Sequence, residues 1–172
     1  ITTWTDTISG NTNVFVGTST NRPEYIVGDS DIFDSNPAVK SNGSNTSMVR
    51  GDTSALEALA TSEWTWIFRL KTPSSIATGT KTYVSKWDNS APKFGYYHGE
   101  KLVSGNQKWR MQMANDDMYT NSYGDTTLAI NTKYTVEMHS TNGNLNGDGW
   151  KIYIDGAAET MTYGGDPMTG GG

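Results

Sequence analysis

From Trp64 to Leu70 apolar and polar side chains alternate. Trp64, Trp66, Phe68 and Leu70 fall on one face, Thr65 and Arg69 on the other. A period of two is the pattern of a strand with one buried face. Trp150, Ile152 and Ile154 alternate in the same way with Lys151 and Tyr153. Asp155-Gly156 follows, a dipeptide that supplies the positive φ angles of a tight two-residue hairpin. The two segments predict antiparallel sheets packed through an aromatic-rich core.

Similar short segments recur along the chain at 14–16, 25–27, 80–87, 95–98, 108–113, 128–130, 134–139 and 160–163. Spaced about a dozen residues apart with turn signals between, they predict an all-β, antiparallel two-sheet sandwich. Pro37-Ala38-Val39-Lys40 and Met48-Val49-Arg50 flank Asn42-Gly43-Ser44-Asn45 and predict a hairpin across that turn. Ser54, followed three residues later by Glu57 among Ala and Leu, predicts one short helical turn over 54–61. Residues 115–124 read as a loop.

Composition narrows the chemistry. The 172 residues fit one domain, 1–172, and its 34% hydrophobic content includes aromatics that carry large buried areas. There is no cysteine, which excludes disulfides, thiolate metal sites and cysteine nucleophiles. A net charge of −5, with Lys and Arg scattered along the sequence, predicts no nucleic-acid partner. No apolar run approaches the roughly 20 residues of a membrane-spanning helix, so no membrane insertion is expected. Beginning at Ile1 and stopping in Gly170-Gly171-Gly172, the chain reads as part of a longer polypeptide.

The order of several pieces resembles the concanavalin A-like jelly roll, in particular the laminin G-like branch of phage virion and bacterial surface proteins. These pieces are Trp4-Thr5-Asp6 with Ser9-Gly10-Asn11, Arg22-Pro23, Pro37-Ala38-Val39 leading to Gly43-Ser44-Asn45, and the Trp64 strand ending near Pro73. Val84-Ser85-Lys86, Gly95-Tyr96 and Ile152-Tyr153-Ile154-Asp155-Gly156 complete them. The family closes with a strand that pairs near the first one. None is read after Tyr163, so the resemblance implies that it lies beyond residue 172 or comes from a neighbouring chain. It further implies a non-catalytic, lectin-like attachment or surface-decorating module on a virion or outside the cell. Its partners would be a glycan or other virion subunits, with a homo-oligomer among the arrangements. The alternatives are a purely structural decoration protein, or a divergent polysaccharide lyase or glycoside hydrolase.

Enzymes resembling this fold place carboxylates at i, i+2 and i+4 of one strand, or a Gln-x-His strand beside an Arg-rich strand, and neither pattern occurs here. The nearest catalytic candidate is Glu137 with His139, one residue apart on a strand and within reach of Arg69 or Arg110. The alternation of 134–139 assigns them instead to a solvated face. His98 reads as an exposed strand-end residue. Relatives in the resemblance hold Ca²⁺ at a rim, and Asp116, Asp117 and Asp88 are the residues to supply oxygens, with Asn115, Asn89 and Asp125 as further partners. Aromatics interleaved with amides and charges suit a glycan surface: Trp87, Tyr96, Tyr97, Trp109, Tyr119 and Tyr123. Of these, Tyr119 and Tyr123 are expected to be exposed, with Asp116, Asp117, Trp87 and Asn89 completing a ligand-binding rim.

Overall fold

The computed structural model describes residues 3–5, 14–17, 23–26, 38–41, 48–49, 63–75, 80–87, 95–114, 118–141 and 149–167. The predicted helical turn at 54–61 and the Asn42 to Asn45 turn lie outside them. Among the described residues every regular element is a strand and all pairing is antiparallel. The chain falls into two compact units, Ile1–Thr53 and Ser54–Gly172.

In the first unit, β1 (Thr3–Thr5), β2 (Val14–Gly17) and β5 (Met48–Val49) form one sheet, and β3 (Glu24–Ile26) pairs with β4 (Ala38–Lys40) in another. The expected hairpin between 37–40 and 48–50 is therefore corrected. Tyr25 is the partner of Val39, and Val49 is the partner of Val16. Tight-turn residues between two strand-like segments favour a hairpin locally, but longer-range partners win here.

The second unit has two sheets. One has the order β14-β10-β9-β8-β7, from β7 (Thr80–Trp87), β8 (Gly95–Val103), β9 (Asn106–Ala114), β10 (Met118–Tyr123) and β14 (Thr162–Pro167). The other has the order β13-β12-β11-β6, from β6 (Trp64–Lys71), β11 (Lys133–Ser140), β12 (Trp150–Ile154) and β13 (Ala157–Ala158). The chain crosses between the sheets three times, after β6, β10 and β13.

The predicted alternation holds in β6 and β12. Trp64, Leu70, Trp150, Ile152 and Ile154 are buried, Trp66 and Phe68 are partly buried against them, and Thr65, Arg69 and Lys151 are exposed. Opposite them, β8 and β9 contribute Tyr96, Trp109 and Met111 to the same core. Trp109 is the hub. Its ring lies 5.7 Å from Phe68 of the facing sheet and 5.3 Å from Tyr83 of its own, and its indole N–H donates to Met138 Sδ at 2.8 Å. Trp66 meets Tyr96 at 6.3 Å and Trp64 meets His98 at 5.3 Å, so rings from both sheets interleave along the layer.

Two hairpins close on two-residue turns. Asp155 and Gly156 have φ of 51° and 80°, as predicted, and Ser104 and Gly105 have 49° and 82° between β8 and β9. Both pairs have the double positive φ of a turn whose twist matches that of the strands. The β8–β9 hairpin joins the predicted segments at 95–98 and 108–113 into one continuous pair.

Three further expectations are corrected. The segment 118–123 is a strand rather than a loop, paired on both sides by β9 and β14. Its Asn121 is a poor strand former and its Ser122 a turn-favouring residue, and two-sided pairing overrides those preferences. The strand expected at 160–163 starts at Thr162 and continues through Gly164 and Gly165 to Pro167 at the sheet edge, where Gly and Pro are tolerated. Residues 128–130 are a connection: Leu128 is buried as a strand residue would be, but its backbone N–H donates to the Gln107 carbonyl at 2.8 Å.

Trp109→Ala should remove the contacts that bridge the sheets and leave a cavity. The expected loss is about 3–5 kcal/mol in urea unfolding, a large part of a domain's stability. A loss below about 1 kcal/mol would show that the indole is not the hub.

Candidate functional site

Register divides the five-stranded sheet into two sets of positions. His98 and Glu100 of β8 pair with Met111 and Trp109 of β9, and these residues, with Tyr96, face the core. The other set faces away and runs in transverse rows. One row reads Ser85, Tyr97, Gln112, Asn121, Gly164, and the next Thr82, Gly99, Arg110, Tyr123, Thr162. A third reads Trp87, Gly95, Ala114, Tyr119, Asp166. Trp87 and Tyr119 thus stand three strand intervals apart, about 14 Å between backbones, with the two smallest residue types between them.

This face is neither greasy nor uniformly solvated. Arg110 and Asn121 are buried, at 6% and 7% exposure, while Tyr97, Gln112, Tyr123 and Lys101 are half-buried around them. Lys101 Nζ donates to Tyr123 Oη at 3.2 Å, a bridge from β8 to β10 that spans β9. Burial raises the Tyr97 phenol above its ordinary pKa, although the Arg110 charge pulls it the other way. The arrangement offers aromatic surface, amides and hydroxyls, and fixed positive charge on a rigid sheet. Among the described residues it contains no nucleophile paired with a base.

The residues expected at a rim are redistributed. Trp87, Tyr119 and Tyr123 occupy register positions of one set in one sheet, Trp87 and Tyr119 in one row and Tyr123 two rows along. Asp88, Asn89, Asn115, Asp116 and Asp117 lie outside the described residues, as does the Ca²⁺ site they would form. Among the described residues no three His, Cys, Asp or Glu side chains come together as a metal site. Asp125 has a structural use: its carboxylate accepts the Thr160 amide at 3.1 Å, and the hydrogen bond it shares with the Glu159 side chain first, and that from the Thr160 backbone second, hold it below the usual carboxylate range. Arg110, which sequence reading set beside Glu137 and His139, and Gln112 and Asn121, which it passed over, belong to this face. The signal that identifies the first two is the alternation of Gln107, Trp109 and Met111 with Lys108, Arg110 and Gln112.

His98 is corrected from an exposed strand end to a core residue of 1% exposure, stacked on Tyr96 at 5.4 Å and tilted against Trp64 at 5.3 Å. Burial, and then the Arg110 charge, lower its pKa to about 3. Beside it, Glu100 accepts from Tyr83 Oη at 2.5 Å and from Gln107 Nε2 at 3.1 Å. Tyr83 is 41% exposed as a residue, yet its hydroxyl is tucked inward. Burial and then the Glu100 charge push this phenol far above its ordinary value. The adjoining cavity, bounded by Thr72, Glu100, Gln107 and Leu128, holds about 10 Å³, room for one water and not for a sugar.

Glu137 and His139 are on the outward face of the other sheet, one-third exposed, as alternation predicts. His139 Nδ1 is 3.0 Å from Thr65 Oγ1, its Nε2 is 3.6 Å from Glu137, and Tyr153 meets the ring edge-on. Arg69 shares that face, but Arg110 belongs to the opposite sheet, which removes it from any couple with this pair. A shallow depression of about 280 Å³ lies alongside, lined by Glu63, Thr65, His139 and Thr141 among others. The chain matches no family model, no curated protein and no solved structure.

Two outcomes follow from these environments. A folded-state pKa near 3 for His98, below the ordinary 6.5, means that protons favour the unfolded chain. The stability supplied by neutral His98 is complete above pH 6.5 and falls by up to about 1.4 kcal/mol per pH unit as pH drops towards 3. His98→Phe, which keeps the ring stack, should flatten that slope in urea titrations run at several pH values; an unchanged slope would assign the dependence to other groups. Separately, the double change Glu137→Gln, His139→Gln should leave the unfolding midpoint nearly unchanged and abolish no glycan cleavage. A depolymerising activity lost on this change would make the pair catalytic.

Proposed function

We propose that the protein is a non-catalytic, lectin-like module of the concanavalin A-like jelly-roll type, displayed on a virion or outside the cell. It binds a cell-surface glycan on the outward face of its five-stranded sheet. The observation that carries this reading is the pair of adjacent rows in which Tyr97 and Tyr123 stand among Gln112, Asn121 and Arg110. Aromatic rings stack on the apolar faces of sugars, and amides and guanidinium bind hydroxyls with fixed geometry. Because Arg110 and Asn121 are buried, these groups are already ordered before a ligand arrives, which lowers the entropic cost of binding. The face-to-face packing of two antiparallel sheets with three crossings supports the jelly-roll type. No metal is needed for this mode, and Ca²⁺ held by Asp88, Asp116 and Asp117 is an addition that chelation would expose.

A second reading, structural decoration of a virion without glycan binding, is favoured by Ile67. This residue is 64% exposed midway along β6, the edge strand of the four-stranded sheet, the kind of position that subunit packing covers.

Glycan-array binding tests the first reading. Tyr97→Ala and Tyr123→Ala should each weaken binding by about fivefold, the equivalent of ~1 kcal/mol per stacked ring, with the thermal midpoint nearly unchanged. An array with no signal for the unmodified chain sinks the glycan reading and leaves decoration.

A further inference from the structure

We propose that the small cavity beside Glu100 is a binding site for a single sodium-sized monovalent cation, held entirely by oxygen. This cavity lies on the core side of the five-stranded sheet, away from the glycan face. Glu100 is 1% exposed; one carboxylate oxygen accepts from the Tyr83 hydroxyl and the other from Gln107 Nε2 at 3.1 Å. Both donors are neutral. Lys81 is its cross-strand partner on β7, yet Glu100 is in neither of the ion pairs between described residues, Lys40 with Glu24 and His139 with Glu137. A carboxylate is thus sealed in with hydrogen bonds but no contacting counter-charge, an arrangement that costs free energy until a cation joins it.

The walls of the cavity supply the remaining coordination. Its volume of about 10 Å³ is space for one small particle. Its rim reaches the exposed Ser75 and Ile130, which gives an ion a way in. Gln107 commits its Nε2 to Glu100, so its Oε1 is turned away from the carboxylate, and that oxygen is buried without a hydrogen-bond partner. Thr72 Oγ1 donates its one proton to the Ala129 carbonyl at 2.6 Å and accepts from the Thr132 amide at 2.9 Å, so it has only a lone pair left to offer. Oxygens with lone pairs and no proton to give suit a hard cation. A water there would satisfy Gln107 but leave the charge of Glu100 standing. The cavity has one carboxylate, and among the described residues no three His, Cys, Asp or Glu side chains come together, which argues against a divalent ion. One positive charge balances one negative one. The ion would tie Thr72, at the exit of β6, to β8 and β9, and so join the two sheets at this end.

Thermal unfolding of the whole 172-residue chain in NaCl, KCl and choline chloride at equal ionic strength tests this. The midpoint in NaCl should exceed that in choline chloride by about 2–4 °C, the shift for one ion several-fold above its dissociation constant, with KCl between them. Glu100→Gln keeps the size of the side chain and removes its charge, and should make the three salts equal. Gln107→Glu adds a second carboxylate to the cavity, and its midpoint should gain a calcium response beyond any shown by the unmodified chain. This second variant decides the matter if Glu100→Gln does not fold. Equal midpoints of the unmodified chain in all three salts overturn the proposal and leave the cavity to water. A sodium response that survives Glu100→Gln overturns it as well, by placing the ion elsewhere. So does a Gln107→Glu chain that calcium stabilises no more than it does the unmodified one.

Discussion

The second unit depends on the burial of Trp109 between its two sheets. With Phe68 on one side, Tyr83 on the other and Met138 accepting its N–H, this indole has one place to go, and its place fixes the register of β9. A slip of one residue would turn Arg110 and Lys108 into the core and expel Trp109 and Met111, at a cost no sheet of this size can absorb. The outward rows are thus set from the inside. The polar face exists in a single arrangement because the apolar one does.

The core around that indole is also polar in part. Glu100 is sealed in with Tyr83 and Gln107 as its hydrogen-bond donors, so the network ties β7, β8 and β9 together at one depth. Buried carboxylates are tolerated when their oxygens are satisfied, and such networks specify a single packing more sharply than hydrocarbon does. His98, neutral and stacked one position away along the same face, extends this polar seam towards Trp64.

What the chain discloses to a reader of sequence follows from how local each signal is. Trp64 to Leu70 and Trp150 to Gly156 were legible because alternation and an Asp-Gly turn are written within a few residues. β10 was not: Thr120, Asn121 and Ser122 resemble a loop, and only pairing with β9 and β14 makes them a strand. The hairpin expected around Asn42 failed for the same reason, since Val39 and Val49 have partners much farther away. At the site, Trp87, Tyr119 and Tyr123 were picked out by their chemistry but gathered by a rule of proximity in sequence, whereas the sheet gathers them by register.

The irregularity in β7 also bears on how the molecule behaves in company. β7 is the last strand of its sheet, and Tyr83 is left without a register partner between Thr82 and Val84. A second strand laid along that edge would meet a ladder broken at its middle, with the repeat out of step on either side. Edge-to-edge growth into a filament is thereby frustrated at the strand that terminates in Trp87. The residue that interrupts the edge is also the one that caps Glu100 and stacks on Trp109, so the interruption cannot be removed without loosening the core.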